Sequence, residues 1–229
     1  MIIDESHHVP AATFEHVLKA CLSRRIVGLT ATPNPKDKRE RLLYLQCRPI
    51  RHTLHARSQL NDGRVVYVRR SAISLPPGPG TLAIHEIWDA IVADDARIQR
   101  VVAAIGLCLD EGRSPLVLAD RKCYLDRLET ALEASPRASE FPRYHLESDI
   151  GKKARNEIWS RTDAHYVSDE PFVLFATASL IGEGFDLPQL DTLVLAMPLS
   201  FKGRFIQHAG RLHRLHEGKA PAHIYDYLD

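Results

Sequence analysis

Three runs in the second half of this 229-residue chain are apolar almost from end to end: L-V-L-A-D (116–120), F-V-L-F-A-T (172–177) and T-L-V-L-A-M (192–197). A fourth, H-I-Y-D-Y-L (223–228), carries one aspartate. A half-exposed strand alternates apolar and polar residues, whereas a strand that is apolar throughout must be covered on both faces. The segments between these runs have helical spacing. Ile98, Val101, Val102, Ile105 and Leu109 share one side of a helix over 94–109, and Leu125, Leu128 and Leu132 mark a second. A further helix is expected from about Phe201 to Leu215. This alternation predicts an α/β fold, a parallel sheet with helices on both faces. In such folds the chemistry gathers at the carboxyl ends of the strands, where Asp120 and Thr177 stand.

The first half repeats the pattern once. Met1–Ile3 reads as a strand, and R-I-V-G-L-T (25–30) as another. Between them F-E-H-V-L-K-A-C-L (14–22) has apolar residues at helical spacing, which makes a strand–helix–strand unit. The charged stretch P-K-D-K-R-E-R-L that follows A-T-P reads as a solvated loop or a helix start. The stretch S-L-P-P-G-P-G (74–80) packs three prolines and two glycines into seven residues, which fits neither a helix interior nor a central strand. It divides the chain into a first region (1–73), a linker (74–82) and a second region (83–229).

Charge excludes little. Thirty basic residues against 29 acidic leave a net charge of +1, so any nucleic-acid surface must be local. The cysteines Cys21, Cys47, Cys108 and Cys123 form no C-x-x-C pair, which leaves zinc and redox-motif readings without support. Scattered thiols fit a reducing, cytoplasmic setting. No apolar stretch approaches the roughly 20 residues a membrane helix needs, and no signal peptide is evident.

Several motifs carry chemistry, each with a plainer alternative. In M-I-I-D-E-S-H-H (1–8) the first strand ends in Asp4 and Glu5. An aspartate there can hold a hard divalent ion such as Mg²⁺, and its neighbour can polarise a water; the alternative is an acidic turn without function. G-L-T-A-T-P (28–33) brings Thr30 and Thr32 to the next strand end, or simply stops that strand at Pro33. In Q-H-A-G-R-L-H-R (207–214), Gln207, Gly210, Arg211 and Arg214 share one helix face. Arginine forks suit a polyphosphate; the alternative is a basic solvent face. Gly210 argues against that alternative, since a mid-helix glycine costs roughly 1 kcal/mol relative to alanine.

Thr177 opens T-A-S-L-I-G-E-G-F-D (177–186), where Gly182 and Gly184 permit an unusual backbone before Asp186; many ordinary turns look alike. The basic cluster G-K-K-A-R (151–155), with Lys152 and Lys153, and the pair Arg121–Lys122 can contact a nucleic-acid backbone or remain solvated. His213 and His216 lack nearby acidic partners in sequence and read as surface or packing residues rather than metal ligands.

Taken in order, D-E-S-H-H, G-L-T-A-T-P, L-V-L-A-D-R, T-A-S-L-I-G-E-G-F-D and Q-H-A-G-R-L-H-R resemble motifs II to VI of the superfamily 2 helicases. The likeness is to DEAD/DEAH-box-like enzymes of the XPB and type I restriction motor branch, in which motif II often reads D-E-C-H-H. Here Ser6 replaces the cysteine. The resemblance implies a complete C-terminal RecA-like domain preceded by the end of a first RecA-like domain, with ATP and Mg²⁺ as cofactors and nucleic acid as partner, DNA ahead of RNA. It implies that Asp4 coordinates Mg²⁺, Glu5 activates water and His7 couples the nucleotide site to the motor. Thr30 and Thr32 would link hydrolysis to domain movement. Thr177 would touch the nucleic-acid backbone, as would Lys152 and Lys153, with Arg121 beside them. Gly184 and Asp186 would lie near the nucleotide. Arg211 and Arg214 would act as arginine fingers, with Gln207 alongside.

One element of the family pattern is absent. No G-x-x-x-x-G-K-[ST] occurs: Gly151-Lys152 is followed by Lys153, and Gly218-Lys219 by Ala220. The expectation is a helicase or translocase portion that lacks the N-terminal half of its first RecA-like domain and hydrolyses little ATP alone. The rival reading is a non-enzymatic nucleic-acid-binding or regulatory remnant.

Overall fold

A computed structural model describes residues 1–4, 6, 12–30, 40–53, 65–71, 73, 83–147, 150–177, 190–198 and 221–228. The chain separates into two compact units, Met1–Ser58 and Gln59–Asp229.

In unit 1, strands β1 (Ile2–Ile3) and β2 (Val27–Gly28) pair in parallel, Ile2 opposite Val27 and Ile3 opposite Gly28. Parallel neighbours need a crossover, which α1 (Ala12–Ala20) supplies. Leu29 N–H donates to the Ile3 carbonyl at 2.8 Å, and Ser6 N–H donates to the Leu29 carbonyl at 2.9 Å, so the two strand ends leave the pair together. Ser6 is buried, and its side chain lies against Gly28. A β-carbon on Gly28 would fall 2.8 Å from Ser6 Oγ and 3.1 Å from Cys47 Cβ. The strand end therefore requires glycine at 28 and a small residue at 6. Helix α2 (Glu40–Cys47) grows out of the charged stretch and buries Leu43.

Unit 2 holds a six-stranded sheet, ordered β3-β8-β7-β4-β6-β5, in which every neighbouring pair is parallel. Its strands are β3 (Val65–Arg70), β4 (Pro115–Ala119), β5 (Arg143–Leu146), β6 (Val173–Thr177), β7 (Thr192–Leu195) and β8 (His223–Leu228). The helices are α3 (Ile84–Ala93), α4 (Asp95–Asp110), α5 (Lys122–Glu133) and α6 (Lys152–Ser168). Successive strand residues point to opposite faces. Val117, Ala119, Val173, Phe175, Val194, Tyr225 and Tyr227 join Val101, Ile105, Leu125 and Leu128 of α4 and α5 in one core. Leu116, Leu118, Leu174, Ala176, Leu193, Leu195 and Ile224 form the other, against Ile158 and Trp159 of α6. Both sheet faces are covered, as the apolar runs require.

Helix starts follow local chemistry. Asp94 caps α4, its carboxylate accepting from Arg97 N–H at 3.0 Å. Glu86 reaches back to the Ala83 N–H at 2.7 Å at the start of α3.

The expected boundary at 73/74 does not coincide with the division between units, which falls between Ser58 and Gln59. Strand β3 lies within the 1–73 region but pairs along its whole length with β8. It was illegible because it is an edge strand: Val65, Val66 and Val68 are exposed and two arginines end it. The Pro/Gly stretch 74–80, the linker 74–82 and the helix expected over 201–215 lie outside the described residues. Among the described residues, no helix is long and apolar enough to cross a membrane.

Candidate functional site

Of the candidate residues, Asp4, Thr30, Asp120 and Thr177 stand at the carboxyl ends of strands. In unit 1, Asp4 is exposed directly after β1, and Thr30 is half-buried just beyond β2. Because β1 and β2 are parallel and in register to Ile3 and Gly28, both residues leave the same edge. Glu5, His7 and Thr32 lie outside the described residues.

In unit 2 the chain order reverses about β4. This strand sits between β6 and β7, and the chain runs out to β5 before it crosses back. Such a switch point opens a crevice at the strands' carboxyl ends. Asp120 follows β4 there, half-buried; Thr177 ends β6 opposite Ala119; Met197 and Pro198 follow β7. Gly184, Asp186, Gln207, Arg211 and Arg214 belong to stretches outside the described residues.

The basic candidates differ in how they are held. Lys152 and Lys153 are exposed in the first turn of α6, with Gly151 at its N-cap. Arg121 is half-buried, its guanidinium 5.3 Å from the centre of the Trp88 ring and 3.7 Å from Asp89 Oδ1. The stacking fixes its orientation while leaving part of the fork accessible. Lys122 pairs with Glu147, the residue after β5.

That pair belongs to a network the sequence did not reveal. His145 of β5 stacks on Phe175, with ring centres 4.9 Å apart, and its Nε2 lies 2.9 Å from Glu129 Oε2. Its Nδ1 lies 4.0 Å from Glu147 Oε1. Asp126, His145 and Glu147 bring ligand-type atoms within 4.8 Å of one another. Lys122 pairs with Glu147, and Arg143 of β5 pairs with Glu133 at 3.4 Å, so ionic contacts fasten α5 to edge strand β5.

A second missed feature is Arg97, whose side chain is wholly buried. Its Nε and Nη2 donate to the Ala196 carbonyl at 3.3 and 3.2 Å, and Nη1 donates to Ser71 Oγ at 2.9 Å. The spacing of Arg97, Val101, Ile105 and Cys108 along one apolar helix face was the available signal.

At the opposite, amino end of the sheet, Arg113 donates to the Pro221 carbonyl at 2.9 Å and pairs with Asp191 at 3.3 Å. His223 is buried here, with its ring edge against Tyr67. Burial pushes its pKa below the ordinary 6.5; the Arg113 charge adds to this, and Glu111 and Asp191 oppose it. Burial also raises the Cys108 thiol to about 11, so it stays protonated at neutral pH.

The fold of unit 2 is a RecA-like α/β domain, a parallel sheet with helices on both faces, preceded in sequence by a second strand–helix–strand unit. The comparisons agree. Residues 1–35 match the family model described as "Type III restriction enzyme, res subunit". The whole chain is 22% identical to "Probable helicase D10" of Escherichia phage T5, and it spans 48% of that protein. Among solved structures, it is similar to a fragment of a putative HsdR subunit of a type I restriction enzyme from Vibrio vulnificus. That match has a TM-score of 0.69 and 22% identity, over 95% of this chain and 42% of the other. It is also similar to S. cerevisiae Dbp5 bound to RNA and ADP BeF3, with a TM-score of 0.60 and 14% identity, over 99% of this chain and 52% of that one. The resemblance to superfamily 2 helicases, first carried by the ordered motifs, thus extends to the fold.

Proposed function

We propose that this chain is part of an ATP-dependent nucleic-acid helicase or translocase that works in the cytoplasm, on DNA ahead of RNA. The observation that carries the reading is the placement of Asp4, Thr30, Asp120 and Thr177 at the carboxyl edges of parallel strands in both units. Asp4 is an exposed carboxylate, a hard oxygen donor of the kind Mg²⁺ takes, and would hold the ion, which neutralises phosphate charge. Glu5 would orient the attacking water, and His7 and Gln207 would couple that site to the rest of the motor. Arg211 and Arg214 would stabilise charge on the transferring phosphoryl group, an effect worth about 10³–10⁵ in rate for an arginine finger. Thr30 and Thr32 would relay the hydrolysis event, and Gly184 and Asp186 would line the nucleotide. Thr177, Lys152, Lys153 and Arg121 would bind the nucleic-acid backbone.

The test is nucleic-acid-stimulated ATP hydrolysis by the longest reading frame that contains this sequence. Stimulated turnover is expected to fall by at least about 10²-fold in both Glu5→Gln and Arg211→Ala. Turnover unaffected by either substitution contradicts the assignment. Salt-dependent binding of nucleic acid without turnover favours the binding-module reading. The 229-residue chain alone, without a G-x-x-x-x-G-K-[ST] loop, is expected to hydrolyse little.

A further inference from the structure

We propose that Arg97 is a positioning residue of the motor, one that locks the backbone at the carboxyl end of β7 to the end of β3. The proposal rests on the functional reading above, because β7 leads in sequence towards Gln207, Arg211 and Arg214.

Ala196 is the first residue beyond β7 and Ser71 the first beyond β3. Each is fastened to the sheet through its own N–H: Ala196 donates to the Leu118 carbonyl at 2.9 Å, and Ser71 to the Leu228 carbonyl at 2.7 Å. Arg97 then holds each from the other side. Two arms of its guanidinium converge on the Ala196 carbonyl, and the third takes the Ser71 hydroxyl. The guanidinium carbon lies 5.5 Å from the centre of the Tyr227 ring, which supports it from β8. One side chain of α4 thereby joins the carboxyl ends of β3, β8 and β7.

The choice of residue is informative. Burying a guanidinium is costly, and a packed apolar side chain usually serves a core as well or better. Helix α4 already supplies Ile98, Val101, Val102 and Ile105 to the core, so it does not need Arg97 as an anchor. An arginine supplies what an apolar side chain cannot, a planar fork that holds one backbone carbonyl and one side-chain hydroxyl in direction as well as distance. Ala196, Met197 and Pro198 are where the chain leaves β7, and in sequence they precede the candidate arginine fingers.

Two readouts test this. In native-state hydrogen exchange on this chain, Arg97→Met is expected to speed exchange by at least about ten-fold at Ala196, whose N–H donates to the Leu118 carbonyl. The amides of Leu118 and Phe175 should keep their protection. Ser71→Ala, which removes a single acceptor, should give a smaller change in the same place. In the longest reading frame, Arg97→Met is expected to lower kcat for ATP hydrolysis by at least about ten-fold, with KM within about two-fold. Arg97→Lys should recover only part of it, because an ammonium cannot reproduce the fork.

Uniformly faster exchange across the core, or unchanged exchange beyond β7, overturns the proposal. So does an unchanged kcat in an active motor. An inactive wild type would instead defeat the functional reading, and the exchange result would still decide whether Arg97 holds β7.

Discussion

Strand β4 has every residue buried, and so does β7. In unit 1, Ile2 of β1 is 73% exposed and Val27 of β2 is 50% exposed. Both units are built from parallel strands joined by a crossover helix, so local pattern does not explain the difference. Neighbours do. β4 has a strand on each side and helices over both faces, whereas β1 and β2 pair, among the described residues, only with each other. Leu22, Leu29 and Leu45 add to the exposed apolar positions of unit 1. What holds its two strands in place is a close approach: Gly28 accepts Ser6 and Cys47 at distances that leave no room for a β-carbon. Among the described residues, unit 2 is held by an extensive buried core, whereas unit 1 shows little burial beyond Leu43 and the tight joint at Gly28.

The contrast breaks most readily in the core of unit 2. Phe175, fully buried between β4 and β5 and stacked on His145, is the sharpest probe. Phe175→Ala should cost about 3–5 kcal/mol in urea unfolding of unit 2. Leu22→Ala, at a side chain 99% exposed, should stay within about 0.5 kcal/mol. Equal effects would erase the distinction. An intermediate effect is expected at the joint of unit 1. Gly28→Ala forces Ser6 or Cys47 to move and should cost about 1–3 kcal/mol, read as lost protection of the Leu29 amide. A partial rescue should follow from Ser6→Gly, which clears the nearer obstacle.

The smallest effect is a pH dependence confined to unit 2. His223 is buried and its folded pKa lies below 6.5. Between that folded value and 6.5, the unfolded chain binds more protons than the folded one, so stability falls as pH drops. The urea midpoint of unit 2 should therefore be lower at about pH 5.5 than at about pH 7.5. His223→Phe should flatten that difference, and a slope that survives the substitution would assign it to other groups.

The two regions also differ in how much the sequence disclosed. The runs at 116–120, 172–177, 192–197 and 223–228 were legible because strands buried on both faces have no polar alternation to hide them. Helices α4 and α5 were legible because they lay a continuous apolar stripe on that sheet. Strand β5 was missed: R-Y-H-L is a short edge strand that buries only Leu146 fully and gives its other positions to polar and aromatic contacts. Strand β3 was missed as an edge strand with exposed valines, and its pairing with β8 places it in unit 2. Helix α6 turns few side chains inward, chiefly Ile158, Trp159 and Thr162, so its stripe is too thin to read from spacing. At the site, Asp4, Thr30 and Thr177 were placed at strand ends by pattern alone. The buried role of Ser6 was not, because its partner Gly28 lies on a different strand.

The most direct test of the contrast between the units is native-state hydrogen exchange read residue by residue along the 229-residue chain. The account predicts that Leu118, Phe175 and Val194 exchange only through opening of the whole of unit 2. Val27 and Leu29, held by few buried groups, should exchange at least about a hundred-fold faster. Equal protection in the two units would contradict it, and would show that unit 1 is stabilised by a core comparable to that of unit 2.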